Sequence, residues 1–345
     1  MMYLLGEPKF NIARRNDFFA PAGQARLCQD VLDESRTMAI VAENLRREHA
    51  AIAYALKQMS VDFRIVCRDI TKVDQAYVFT LNQALGCRLA AFPGHAPSTV
   101  LYPRDFCTVH QDLKTLLLNP CGIESVVSSK DGWRIAKSVW GEGGRMLYSG
   151  RTALIGDRLR TEDVGPSRSL WEDDVQILRE MGMQFGEIPF LVALRYGWGG
   201  VTEKVSYNDH LDRIGTLLSA QDKSLHFVMD RLNFSTEWLQ GQNWTAREPG
   251  ETVALLQRVC KPLDITVHVP AQTLCVPYAL NLLQVDGGRV LMTSGDPDVE
   301  ALVADIVGRE NVFTTAVPIR YYPVWMNAGI RCLVSEAPEV IMRSA

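Results

Sequence analysis

Apolar residues recur at intervals of three and four through ESRTMAIVAENLRREHAAIAYALKQ, residues 34 to 58, which predicts an amphipathic helix. The pattern then switches to alternation in VDFRIVC, which predicts a strand. Further along, RLAAF, STVLY, FCTV, ESVVS, RMLYS and TALIG read as short strands. A helix is expected over LWEDDVQILREMGM, followed by the strand IPFLVAL. DRIGTLLSA and SLHFVMD come next, then the helix GETVALLQRVC and the strand DITVHV. The last unit reads YALNLLQVDGG, RVLMTS, the helix PDVEALVADIVG and NVFTTAVPI. Hairpins interleaved with helices at a period of roughly 50 to 70 residues point to a repeat architecture of mixed α/β type. At the N-terminus, MMYLLGEPKFNIARRNDFF lacks a basic leading segment and a cleavage site, and reads as a first strand. Residues 14 to 33, including FFAPAGQ, read as a loop or an insertion.

Composition narrows the class. With 47% apolar and 22% charged residues, the 345-residue chain can bury a large core without disulfide or metal staples. It contains no low-complexity segment or obvious linker, and one domain over residues 1–345 is expected. The 36 basic and 40 acidic residues are intermingled, which argues against a nucleic-acid partner, since duplex binding needs a dense basic face. No run of 18 or more apolar residues occurs, so no membrane span is expected. The eight cysteines form no CxxC pair and most lie in apolar surroundings, as expected of reduced thiols in a cytoplasmic protein.

Four short motifs sit at the ends of strand-like runs, where loops carry function. They are Tyr102-Pro103-Arg104-Asp105, Gly141-Glu142-Gly143-Gly144, His210-Leu211-Asp212 and Gly329-Ile330-Arg331-Cys332. Each is ordinary by itself. An Arg-Asp pair is usually a solvated ion pair, Glu-Gly-Gly a hairpin turn, and a cysteine in an intracellular protein a small buried hydrophobe.

Together and in this order the motifs resemble the guanidino-group-modifying enzymes of the pentein superfamily, which include arginine deiminases, agmatine deiminases, dimethylargininases and amidinotransferases. The resemblance spans about residues 100 to 335. TALIGDRLRTED resembles the family's G-x-S-x-R-T segment with Arg158 in place of the serine, and YALNLLQVDGGRVLMTSGDPDVEALVADIV resembles the unit before the nucleophile loop. The resemblance implies a single-domain, five-fold pseudosymmetric α/β propeller of ββαβ units around a negatively lined cavity.

It also implies roles. A guanidinium carbon is a poor electrophile, and two carboxylates can hold the planar cation by paired charge-assisted hydrogen bonds against a nucleophile. By resemblance, Asp105 and Asp212 are those carboxylates. Cys332 attacks and leaves a covalent thiouronium intermediate, His210 protonates the departing nitrogen and then activates water, and Glu142 orients His210. The family arginine that faces an amino-acid head group corresponds to Arg160, with Arg331 and Arg145 as further candidates. No cofactor is implied, and the scattered His and Cys residues show no metal-ligand spacing.

The expected activity is therefore an amidinohydrolase acting on arginine or a substituted, arginine-like guanidine, releasing ammonia or an amine. The alternatives are an amidinotransferase, with an amine acceptor in place of water, and a non-catalytic pentein binding protein. A homo-oligomer stays open. The chain departs from the family in having Asn327-Ala328-Gly329 where the nucleophile loop is usually glycine-rich, and Arg145 where many arginine deiminases carry Asp. His95 and His110 read as structural, and RYGWGG, residues 195 to 200, as a mobile loop before His210 that could cover the site.

Overall fold

Thr37 starts the long N-terminal helix: its hydroxyl accepts a hydrogen bond from the Ile40 amide, and the helix runs Met38–Gln58. Val41, Leu45, Ile52 and Leu56 lie on one fully buried face, as the three-and-four spacing requires. The computed structural model describes residues 2–7, 17–21, 24–67, 107–118, 132–141, 143–156, 168–188, 191–197, 200–207, 210–230, 249–270, 272–285, 288–326 and 328–336. The expected strands RLAAF, STVLY and ESVVS lie outside these residues.

Among the described residues are six three-stranded sheets, and five of them share one pattern. In each, a first strand pairs antiparallel with a second, and the second pairs parallel with a third. Cys107–His110, Thr115–Leu118 and Arg134–Lys137 form one such sheet. Met146–Ser149, Thr152–Gly156 and Gln184–Ile188 form another. Gly215–Ser219, Leu225–Met229 and Ile265–His268 form the third, and Leu283–Gln284, Val290–Met292 and Val312–Thr314 the fourth. The fifth joins distant parts of the chain: Val334–Glu336 pairs antiparallel with Met2–Glu7, which pairs parallel with Asp62–Cys67.

A parallel pair needs a crossover, and helices supply it. Arg168–Glu180, Pro249–Cys260 and Pro297–Val307 bridge the second and third strands of three sheets, and Ala25–Glu34 with Met38–Gln58 bridge those of the closing sheet. Each crossover packs into the seam between its own sheet and the preceding one. Leu178 meets Leu117 and Met146; Leu256 and Cys260 meet Leu147 and Phe227; Val299 and Val303 meet Leu218 and Val290; Leu45 and Ile52 meet Leu283 and Leu5. Successive sheets are thus tied by apolar contact and by single hydrogen bonds, such as those of Gln284 with Ser219 and Tyr148 with Val109, rather than by a shared strand ladder. The Pro297–Val307 helix stops at Gly308, whose φ of +89° suits a residue without a side chain.

Three sequence expectations change. Residues 14 to 33 are not a loop: they contain strand Asp17–Pro21 and helix Ala25–Glu34. The strand pairs with Leu191–Gly197 in the sixth, wholly antiparallel sheet. The helix is short, and its apolar residues Ala25, Leu27, Cys28, Val31 and Leu32 alternate with polar ones on the opposite face. IPFLVAL is not one strand, since Gln184–Ile188 and Leu191–Gly197 belong to different sheets. RYGWGG is largely strand, with Gly197 opposite Gly200 in a hairpin; Trp198 and Gly199 lie outside the described residues.

Candidate active site

The stretch before Cys332 is built by a buried acid. Glu48, on the inner face of the long helix, accepts hydrogen bonds from the Arg320, Tyr321 and Tyr322 amides at 2.7, 2.8 and 3.0 Å. These amides open the wide helical turn Tyr322–Met326, whose free N–H groups need acceptors. Burial pushes the Glu48 carboxyl up to about 7 despite the three donors and nearby Arg320. The chain then reaches Gly329 and the single helical turn Ile330–Leu333, so Cys332 sits on a helical turn immediately before strand Val334–Glu336.

One residue that sequence reasoning missed organises the surroundings of the sulfur. The buried Asn281 side chain accepts hydrogen bonds at Oδ1 from the amides of Arg331, at 2.9 Å, and Cys332, at 3.3 Å. Its Nδ2 donates to the Asp212 carbonyl at 3.0 Å and lies 3.5 Å from the Cys332 sulfur. A single amide therefore fixes the cysteine loop to the His210–Asp212 loop. Gly329 lets this happen, because a Cβ there would stand 2.5 Å from the Asn281 side chain.

The second loop is equally constrained. His210 is half-buried and precedes the tight turn Leu211–Arg213, whose residues are all buried. The Leu211 amide donates to the Gly144 carbonyl at 2.8 Å, which attaches this turn to the Glu-Gly-Gly segment. Arg213 lies 5.8 Å from the Tyr278 ring centre, and its carbonyl accepts from the Gln24 side chain. Asp212 is 1% exposed, so its carboxyl sits in a low-dielectric setting, while its backbone carbonyl meets the Asn281 amide.

Of the sequence-based candidates, the structure therefore gathers the loops bearing Cys332, Asp212 and Gly144 around Asn281. The Arg331 guanidinium reaches the Met146 carbonyl at 3.4 Å and lines a cavity on the other side of the strands. Asp105, Glu142 and Arg160 lie outside the described residues, as does His95. Cys332, 2% exposed, shares a core cluster with Cys28, and Cys260 is packed in another; burial pushes the Cys28 and Cys260 thiols up to about 12. Among the described residues, no group of three or more His, Cys, Asp or Glu side chains could hold a metal ion. No described helix is long and apolar enough to cross a membrane.

A positional rule emerges. Cys332, Asn281 and Asp212 each lie just ahead of the first strand of a sheet, as do Glu142 and Asp105 in sequence. Asn281 was detectable as the polar residue interrupting an apolar run, YALNLLQV, at the place where the neighbouring units carry their motifs.

No family model and no curated protein matches the chain by sequence. Solved structures match by fold. One provisionally named a peptidyl-arginine deiminase is 10% identical over 97% of this chain and 99% of its own, with a TM-score of 0.50. DDAH from Pseudomonas aeruginosa, complexed with citrulline, is 13% identical over 87% of this chain and 89% of its own, with a TM-score of 0.46. The N-terminal domain of ArgZ, covalently bound to a reaction intermediate, is 9% identical over 97% of this chain and 96% of its own, with a TM-score of 0.45. The likeness to the first of these, at a TM-score of 0.50, is one of α/β fold.

Proposed function

We propose that the chain is a cysteine-dependent hydrolase of a guanidino group, and that residues 1–345 act as one catalytic domain. The observation that carries this reading is the Asn281 clamp, which holds the Cys332 sulfur and the Asp212 turn against one another. A thiol serving only as core filler has no need of an amide that binds its sulfur and its own N–H together. The five like-paired sheets, closed by the union of the chain ends, support a five-bladed ring with the reactive groups at its inner mouth.

In this reading Asp212 and Asp105 hold the guanidinium by charge-assisted hydrogen bonds and present its carbon to Cys332. The thiolate adds to that carbon. His210, oriented by Glu142, gives a proton to the departing nitrogen, which leaves as ammonia or an amine, and a thiouronium remains on sulfur. His210 then takes a proton from water as the oxygen adds to the same carbon. Collapse expels the cysteine thiolate and yields the ureido product. The net reaction consumes one water per guanidine. Arg160 is the residue assigned to a substrate carboxylate.

The test is a substrate panel of arginine, agmatine and methylated arginines, with and without glycine or lysine as acceptor. A ureido product with ammonia or amine is expected without any acceptor. Turnover only when acceptor is present would replace the hydrolase by an amidinotransferase, and no turnover of any guanidine would defeat both. Acid quenching during turnover should trap an adduct on the peptide containing Cys332, with the mass of the transferred group.

A further inference from the structure

The first strands of the five like sheets have two ends. Their leading ends carry Cys332, Asn281 and Asp212. At their trailing ends, the adjoining hairpin turns line a cavity of about 570 Å³ that extends along the strands to Leu282 and Arg331. Neither Cys332 nor Asp212 lines it.

His110 does. It ends the strand Cys107–His110, is 3% exposed, and packs its ring against Tyr148 with centroids 4.1 Å apart. Among the described residues, neither Nδ1 nor Nε2 has a hydrogen-bond partner. Buried polar groups in folded proteins are nearly always satisfied, so an imidazole with both nitrogens vacant beside a cavity is provision for something that enters it. A neutral ring offers one donor and one acceptor. Burial pushes His110 down to about 4, which keeps the ring neutral at ordinary pH.

The charged groups lining the cavity indicate what enters. Arg331 and Lys223 are basic; Asp112 and Glu336 are acidic. A simple anion would meet two carboxylates and a simple cation two bases. A small molecule bearing both charges meets complementary groups of each sign. We propose that this cavity is a second small-molecule site, taking a free α-amino acid in its zwitterionic form, and that occupancy is transmitted to Cys332 through Arg331. The link is short. The side chain of Arg331 lines the cavity, while its backbone amide shares the Asn281 oxygen with the amide of Cys332. The effect on turnover rests on the catalytic reading above; binding does not.

The experiment is a calorimetric titration of the full chain with L-norvaline, which lacks a guanidine, alongside pentanoate and butylamine, which each lack one of its charges. Saturable binding of norvaline is expected, with each single-charge compound at least about ten-fold weaker. Norvaline affinity should fall about ten-fold in His110→Phe and stay unchanged in Asp212→Asn, which alters the proposed guanidine site alone. In the wild-type protein the His110 ring nitrogen resonances should shift on adding norvaline, a measurement that needs no variant to fold. Turnover of the wild type should change at saturating norvaline, and that of His110→Phe should equal the unliganded wild type and not respond. Absence of norvaline binding, equal binding of pentanoate, or loss of binding in Asp212→Asn but not in His110→Phe would each overturn the site. Binding with unaltered wild-type turnover would overturn the link to Cys332. A protein that binds norvaline as described but turns over no guanidine would refute the catalytic reading and leave the site standing.

Discussion

Two buried polar side chains, at opposite ends of the same set of strands, are treated in opposite ways. Asn281 uses both ends of its amide: two backbone donors meet its oxygen, and its nitrogen serves the Asp212 carbonyl and the Cys332 sulfur. His110, as deeply buried, uses neither ring nitrogen. A saturated amide fixes geometry, because every displacement breaks several hydrogen bonds. An unsatisfied ring does not fix anything; it leaves bonding capacity for a visitor. Under the two proposals above, the leading ends of the strands act as rigid machinery and the trailing ends as a receptive surface.

The severest way to break this contrast is to remove the sulfur. Cys332→Ala should reduce guanidine turnover by about 10⁴-fold or more while leaving the fold intact. Steady-state rates with circular dichroism check both halves, and near-normal turnover would reduce Cys332 to a core residue.

Asn281→Ala comes next. It strands the amide of Cys332, leaves that of Arg331 only the Asn281 backbone carbonyl at 3.3 Å, and should destabilise the protein by about 1–3 kcal/mol. It should lower kcat by about 10²-fold through misplacement of the sulfur, with a smaller change in KM. Gly329→Ala, which forces a methyl into the same amide, should fall in the same direction by about 1–3 kcal/mol. Urea unfolding reads all of these, and unchanged stability in both variants would dissolve the clamp.

Glu48→Gln sharpens the comparison by adding pH. The folded carboxyl, at about 7, holds its proton more tightly than the unfolded one, with its ordinary value of 4.5. Folded protein therefore binds more protons across that interval, and the stability this group contributes is greatest at low pH and is lost as pH rises from 4.5 through 7. The difference should approach about 3 kcal/mol over the full window. Gln cannot titrate, so the wild type should lose stability relative to Glu48→Gln between pH 5 and about 7. A constant gap across that range would contradict the assignment.

The smallest effect is expected at the other end. His110→Phe removes two unsatisfied nitrogens, keeps the ring contact with Tyr148, and should stabilise the protein by up to about 1 kcal/mol at neutral pH. The folded ring titrates at about 4 against 6.5 when unfolded, so His110 loses stability as pH falls from 6.5 towards 4. The advantage of the variant should therefore widen on acidification. Destabilisation of the size seen with Asn281→Ala would show that His110 is ordinary packing.

Much of this was legible in the chain. The helices Met38–Gln58, Arg168–Glu180, Pro249–Cys260 and Pro297–Val307 and most described strands follow local periodicity, which a sequence displays directly. Ala25–Glu34 lies in the stretch expected as a loop, although its apolar residues follow helical spacing and Cys28 and Val31 bury it firmly. The order of Asp105, Glu142, His210, Asp212 and Cys332 suggested a chemistry, because residue type and order are preserved in one dimension. What no local pattern holds is a partner.

The sequence by itself determined most of the helices and strands and offered candidates to attack, hold or protonate a guanidine. Only the tertiary structure decided that Val334–Glu336 closes on Met2–Glu7, that Asn281 binds two loops, and that His110 is left unsatisfied beside a cavity. Periodicity is a property of neighbours along the chain. Strand pairing and hydrogen-bond satisfaction depend on groups brought together across tens to hundreds of residues, and their energies exist only once the chain has folded.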